Sequence, residues 1–334
     1  VKQLNYPISA NTTDLGPTAE KSIGEDGIAY ITGAPEMPRL EASIGGGSLS
    51  GMTVEWRVEV KTERSERGTK DDFTIPETDV IEKPIGEAWE IHEDYAAPRE
   101  FFGGKVTVFY RIKKSGGGYL TDEQQITFKI RGKNPKDADA QNHIQSTQGS
   151  HRFAWAMAQH ESRQGQRVYN HFNSGGSTKE LPNLGPPDGW GIAQLDRPLG
   201  VSANTKEVYS WHANVEKFYA ELNEKQAAQQ RYFDAIQRTY PSQYQAPPAN
   251  FVHPGTSTSM TALEAGIITL YNGVEGCPTA SLIGASGKRV VFKNPWKFTP
   301  SAPSGQRWSY HPNKYNYLKK VIYDEFEGNL STQE

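Results

Sequence analysis

The sequence predicts an α+β chain of two parts, an antiparallel β-sandwich over residues 1–135 followed by a mainly α domain over residues 136–334. Three observations carry that expectation. Apolar and polar residues alternate in several segments of the first part, as they do in strands with one buried and one wet face. The stretch Arg131-Gly132-Lys133-Asn134-Pro135-Lys136 is a polar break, with Asn134 biased away from helix by the proline that follows it. Beyond that break, apolar residues recur at helical spacing. A length of 334 residues suits two domains of ~100–200 residues.

In the run Thr53 to Val60, the residues Val54, Trp56, Val58 and Val60 face one way and polar or charged residues the other. Lys105 to Ile112 repeats the pattern, and Gln125 to Ile130 makes a third strand. Gly45-Gly46-Gly47, Pro84, Gly103-Gly104 and Gly116-Gly117-Gly118 punctuate them. Short strands at this spacing predict a small sandwich. A Trp on a central strand resembles an immunoglobulin-like domain, here without the cysteine pair. Residues 1–25 are polar and read as an extended lead-in.

The second part predicts four helices. Ser150 caps a segment His151–Gln164 that stops at Gly165. A long helix, Ala213–Tyr240, carries Val215, Phe218, Tyr219 and Leu222 on one stripe, then Tyr232, Phe233 and Ile236, and ends at Pro241. Thr261–Tyr271 and Lys314–Phe326 complete the set, while residues 274–312 stand as an unassigned insertion.

Composition excludes several classes of function. The chain is 35% hydrophobic and 22% charged, polar but not depleted enough for disorder. No run approaches the ~20 apolar residues that span a bilayer, so no membrane span is expected. Cys277 is the single cysteine, which excludes an internal disulfide, and it reads as a buried or loop thiol. His151, His160 and His171 do not form a ligand pattern, and His160-Glu161 does not extend to His-Glu-x-x-His, so no metal is expected. No phosphate or dinucleotide loop occurs, so no cofactor is expected either. Residues 1–150 hold 18 Lys+Arg against 24 Asp+Glu, the rest 18 against 15, so net charges of −6 and +3 divide the chain. A surplus of +3 is too weak for nucleic acid but suits an anionic wall polymer. Val1-Lys2-Gln3 shows no leader, which reads as a processed chain or an excised piece.

Four stretches of the second part carry chemistry. Ala154 to Gly165 places Glu161 and Ser162 near the end of an Ala-rich helix. Gly189-Trp190-Gly191-Ile192-Ala193-Gln194-Leu195-Asp196 is a glycine-rich turn. Trp211-His212-Ala213-Asn214 opens the long helix, and Tyr271-Asn272-Gly273 ends a later one. In order and spacing these resemble the goose-type lysozyme and soluble lytic transglycosylase group of the lysozyme superfamily, over roughly residues 150–325. Ala193 departs from that group's usual Met, and no small residue precedes Gly273 in the last motif.

Cleaving a glycosidic bond requires a carboxylic acid that still holds its proton near neutral pH. A Glu on a helix rich in Ala, with Trp155 and Met157, can be desolvated enough for that, so Glu161 is the expected acid. The resemblance implies Asp196 as the second carboxylate, with Asp188 next, and Ser162, Gln194, Tyr271 and Asn272 as substrate-binding residues. A lytic transglycosylase manages with one Glu, and the two aspartates favour hydrolysis. Structural readings stand beside these. Asp196 before Arg197-Pro198 suits a turn or cap, Tyr271 a packed aromatic, and Gln194 a structural hydrogen-bonder. Trp296, Phe298 and Trp308 suit packing more than stacking on sugars.

The function expected from the resemblance is a muramidase that hydrolyses the β-1,4 bond between N-acetylmuramic acid and N-acetylglucosamine in peptidoglycan. The alternatives are a lytic transglycosylase and a non-catalytic wall-binding module. The arrangement also resembles the toxic end of an interbacterial effector delivered by a type VI secretion machine. Its partners would be peptidoglycan strands, an immunity protein or the secretion apparatus, and its location secreted or in the bacterial periplasm.

Overall fold

The computed structural model describes residues 8–11, 20–23, 26–44, 49–61, 74–75, 79–91, 101–147, 149, 151–162, 168–185, 189–195 and 205–328. The fold is mixed α/β, with two multi-stranded sheets and six helices among the described residues. The chain forms two compact units, Val1–Asp137 with Val168–Asn214, and Ala138–Arg167 with Val215–Glu334.

The strands of the first unit are β1 (Ile8–Asn11), β2 (Glu20–Ser22), β3 (Ile28–Ile31), β4 (Arg39–Ala42), β5 (Thr53–Lys61), β6 (Thr74–Ile75), β7 (Ile81–Pro84), β8 (Trp89–Glu90), β9 (Gly104–Lys113) and β10 (Gln124–Gly132). One sheet runs β2-β1-β4-β8, the other β3-β10-β9-β5-β6 with β7 also on β5. The alternation read from sequence is the burial pattern observed. Val54, Trp56, Val58 and Val60 are buried, and in register opposite them lie Ile112, Tyr110, Val108 and Val106. Trp56 stacks on Trp89 of the other sheet at 5.8 Å, so both sheets feed one core with Leu40, Ala42 and Ile130. One pairing is not antiparallel: β3 runs parallel to β10, with Ile28 opposite Lys129. A connection as long as the six strands between them leaves direction unconstrained by any hairpin.

Residues 168–214, C-terminal to the polar break, join this unit rather than the helical one. Phe172, Trp190, Val208 and Tyr209 enter the β core. A Cβ at Gly132 would lie 1.9 Å from the Phe172 ring, so only glycine lets that ring close on the strand. The break itself is a staple: Asn134 Oδ1 accepts from the backbone N–H groups of His171 (2.9 Å) and Phe172 (2.7 Å).

The helices are α1 (Asp137–Thr147), α2 (Ala154–Ser162), α3 (Thr205–Tyr209), α4 (Trp211–Thr239), α5 (Ala262–Tyr271) and α6 (Tyr317–Lys319). In the second unit, α2 buries Ala154, Ala156, Ala158 and Ser162, small residues that allow close packing, together with the larger Met157. The start expected at His151 falls at Ala154; Ser150 and residues 163–167 lie outside the described residues. Thr261 caps α5 through a capping box with Glu264, which satisfies two first-turn donors. The helix expected over Lys314–Phe326 is instead the short α6, opened by Asn316 at φ 47°, running into a π-helix, Lys320–Phe326. Glu327 pins the end of that π-helix by accepting from the backbone and hydroxyls of Ser257 and Thr258. The unassigned insertion is two hairpins, Thr279–Ile283 with Arg289–Lys293 and Trp296–Phe298 with Trp308–Tyr310. Trp296 and Phe298 are buried, and Trp296 donates to the Ala262 carbonyl at 2.8 Å, so these rings pack the second unit. No described helix is long and apolar enough to cross a membrane.

Candidate active site

In the second unit, α2 ends in His160-Glu161-Ser162. Glu161 is half-buried and Ser162 fully buried. The Tyr317 hydroxyl donates to Glu161 Oε1 at 2.5 Å, from the first residue of α6. Burial pushes the Tyr317 hydroxyl well above its ordinary pKa, and the charge of Glu161 adds to the effect, with Tyr271, the Glu161 bond and Glu325 behind. Tyr317 is therefore a permanent donor, aimed at a carboxylate.

Two further groups complete the cluster. Glu325, on the π-helix, has a fully buried side chain, and its Oε1 lies 3.4 Å from His160 Nδ1. The His160 ring meets the Tyr317 ring edge-on at 5.3 Å. The π-helix thus brings a second carboxylate beside the end of α2, carried by a residue that sequence reasoning did not single out.

Asn272 and Tyr271 reach the same cluster from the end of α5. Asn313 Nδ2 donates to Asn272 Oδ1 at 3.2 Å, while Asn313 Oδ1 accepts from the Tyr317 backbone N–H at 3.1 Å. The Tyr-Asn-Gly turn is therefore connected to the residue that holds Glu161. Tyr271 is half-buried, packed edge-on against Phe218 at 5.2 Å, and close enough to Tyr317 to act on its hydroxyl. Glu161, Tyr271 and Asn272 thus come together around Tyr317. Neither Tyr317 nor Asn313 carries a signal in sequence, because an aromatic at helical spacing reads as core and an isolated Asn as loop.

Gln194 belongs to the first unit, where the Gly-Trp-Gly turn has its own logic. Gln194 holds φ 47°, a left-handed conformation rare for a residue with a side chain, and its Nε2 donates to the Gly191 carbonyl at 2.8 Å. A Cβ at Gly185 would stand 2.0 Å from Gln194 Oε1, so the amide tip lies directly against that glycine. Asn214, fully buried, ties the turn down: its Oδ1 accepts from Ala193 N–H at 3.0 Å and its Nδ2 donates to the carbonyls of Trp190 (3.0 Å) and Glu207 (3.2 Å). The second and third sequence motifs are therefore one hydrogen-bonded object. His171 lies buried beneath the turn, and desolvation pushes its pKa down to about 3 against a weaker opposing bond to the Val208 backbone. Asp188 and Asp196 lie outside the described residues.

Among the described residues no group of three or more His, Cys, Asp or Glu is arranged to hold a metal ion. Cys277 is buried, and burial pushes its thiol pKa up, away from reactivity.

No protein-family model and no curated protein matches this chain. Among solved structures, the soluble domain of PmoD from a Methylocystis species aligns at 12% identity. The alignment covers 38% of this chain and 94% of that one, with a TM-score of 0.24, a likeness too slight to carry an argument.

Proposed function

We propose that the chain is a peptidoglycan-cleaving muramidase, with Glu161 protonating the glycosidic oxygen between N-acetylmuramic acid and N-acetylglucosamine. The observation that carries this reading is the half-buried Glu161 at the end of α2, hydrogen-bonded by a tyrosine that keeps its proton. In this scheme Tyr317 holds Oε1 while Glu161 gives up its proton. As it passes to the departing oxygen the C–O bond breaks, a water adds to the anomeric carbon, and the sugar ends as a reducing terminus. Asp196 or Asp188 takes that water's proton in this scheme, and Gln194, Tyr271 and Asn272 bind the sugars. Ser162, expected there from the resemblance, is fully buried and packs the end of α2 instead. The reading includes the finer architecture, an immunoglobulin-like sandwich ahead of a lysozyme-like domain. It also includes a site of action in the bacterial wall, as an effector met there by an immunity protein.

Glu161→Gln keeps the shape and removes the proton. Release of soluble fragments from purified peptidoglycan should fall by about three orders of magnitude or more, with the fold unchanged by circular dichroism. Full activity in that variant overturns the assignment. Mass spectrometry of wild-type products then separates the mechanisms: reducing ends mean that water attacked, anhydro-muramic ends mean a lytic transglycosylase. Binding to wall sacculi with no fragments from the wild type means a non-catalytic module.

A further inference from the structure

We propose that the hairpin Thr279–Ile283/Arg289–Lys293 is a docking edge for an extended acidic segment of a partner protein, which adds to it as a third strand. This inference stands apart from the glycan chemistry and rests on the second unit alone.

The hairpin is fixed on one side and open on the other. Leu282 is buried, Phe292 packs on Tyr232 of α4 at 5.7 Å, and the Ile283 N–H donates to Thr239 Oγ1 at 2.8 Å. Arg238 Nε donates to the Ile283 carbonyl at 3.2 Å. The outer edge of Thr279–Ile283 is thus partnered at Ile283 by the end of α4, and the Ser281 carbonyl accepts from Arg289 Nη1 at 3.3 Å. Arg289–Lys293 pairs with no other described strand.

Register says which backbone groups are open. Gly284 N–H bonds the Lys288 carbonyl and Asn294 N–H the Pro278 carbonyl, so hydrogen-bonded pairs fall at every second position between them. Val290 and Phe292 therefore bond inward, while Arg289, Val291 and Lys293 turn their N–H and C=O groups outward. The side chains of those same three residues share one face, with Arg289 and Lys293 about 13 Å apart at ~3.3 Å per residue. Between them, Val291 is 69% exposed, the most exposed large apolar residue described.

Charge selects the occupant. No Asp or Glu occurs between Glu275 and Asp324, a stretch that holds eight Lys and Arg. Lys288, Arg289 and Lys293 are exposed, and none meets a carboxylate among the described residues. An acidic strand would satisfy the open backbone groups, set its carboxylates against these cations and cover Val291, the combination that edge recognition uses. A hydrated polyanion would leave both the valine and the open amides unused.

The test uses the full chain and a fluorescein-labelled peptide of about ten residues that alternates Glu and Val, read by anisotropy. Two controls carry the same backbone length: Glu alternating with Pro, which keeps the charge but cannot form a ladder, and Lys alternating with Val. The Glu-Val peptide should bind, slow the amide exchange of Arg289, Val291 and Lys293, and outcompete both controls. Val291→Pro removes an outward N–H and spares the inward ladder, so it should weaken binding at least ~10-fold with an unchanged thermal midpoint. The surface double variant Arg289→Glu, Lys293→Glu should do the same, which keeps the test sound if the proline disturbs the hairpin. No binding means that the cations only guard an edge. Equal binding of the Glu-Pro peptide, or preferential binding of vesicles containing phosphatidylglycerol, means a diffuse anion surface. Either result overturns the proposal.

Discussion

Tyr317 and Glu161, 156 positions apart in the chain, meet in a hydrogen bond of 2.5 Å inside the second unit. Because burial holds the phenol in its protonated form, it donates to one carboxylate oxygen of Glu161 and orients the group. Tyr317→Phe keeps the packing and deletes the donor. Under the proposed function, turnover on peptidoglycan should fall about 10- to 100-fold with KM little changed, since the change misaligns the assigned proton donor and leaves the assigned sugar-binding groups in place. Stability should change by only about 0.5–1.5 kcal/mol, as expected for one such bond. Steady-state kinetics with a parallel thermal melt decide the matter, and undiminished turnover reduces Tyr317 to packing.

Asn214 is expected to be among the costliest single polar residues of the first unit. It is fully buried, and its amide serves Ala193 N–H and two carbonyls at once. Trp190 keeps a second bond from Leu195 N–H, so the group that Asn214→Ala orphans most clearly is the Ala193 N–H. The expected loss is about 2–3 kcal/mol in chemical denaturation. Asn214→Asp should be at least as damaging, because it turns a carboxylate toward two carbonyl oxygens. A variant as stable as wild type would mean that the glycine-rich turn holds its shape unaided.

The β half was largely legible because alternation is a local signal, and Val54 to Val60 show it without interruption in the observed burial. The long helix was legible for the same reason, its observed span Trp211–Thr239 starting two residues ahead of the expected one and ending just before the expected proline. What escaped is set by distance in sequence. Nothing near Phe172 announces that its ring lies on Gly132, so membership of residues 168–214 in the β core was invisible. Nothing near Glu325 announces His160, 165 positions away. The π-helix also escaped, because the apolar spacing of residues 320–326 fits an α-helix equally well.

Gln194 separates local strain from chemistry. Its left-handed backbone costs about 1–2 kcal/mol for a residue with a Cβ, against which its amide gains one bond to Gly191. Gln194→Gly releases the strain and loses the bond, so stability should stay within about 1 kcal/mol of wild type. Under the proposed function, peptidoglycan cleavage should nonetheless fall by 10-fold or more, because that reading assigns the Gln194 side chain to substrate binding. Unchanged cleavage would assign Gln194 to the turn alone.

His171 makes the first unit acid-sensitive. Its pKa lies near 6.5 in the unfolded chain and about 3 in the folded one, so between those values the unfolded state binds the proton that the folded state refuses. Stability from this residue is therefore complete above about pH 6.5, declines by up to about 1.4 kcal/mol per pH unit as the pH falls, and levels off near pH 3. Urea midpoints measured between pH 7 and pH 4 should follow that slope. His171→Gln, which cannot titrate, should flatten the profile over the same range even if it lowers stability at neutral pH. An equally steep profile in the variant would transfer the acid sensitivity from His171 to the carboxylates.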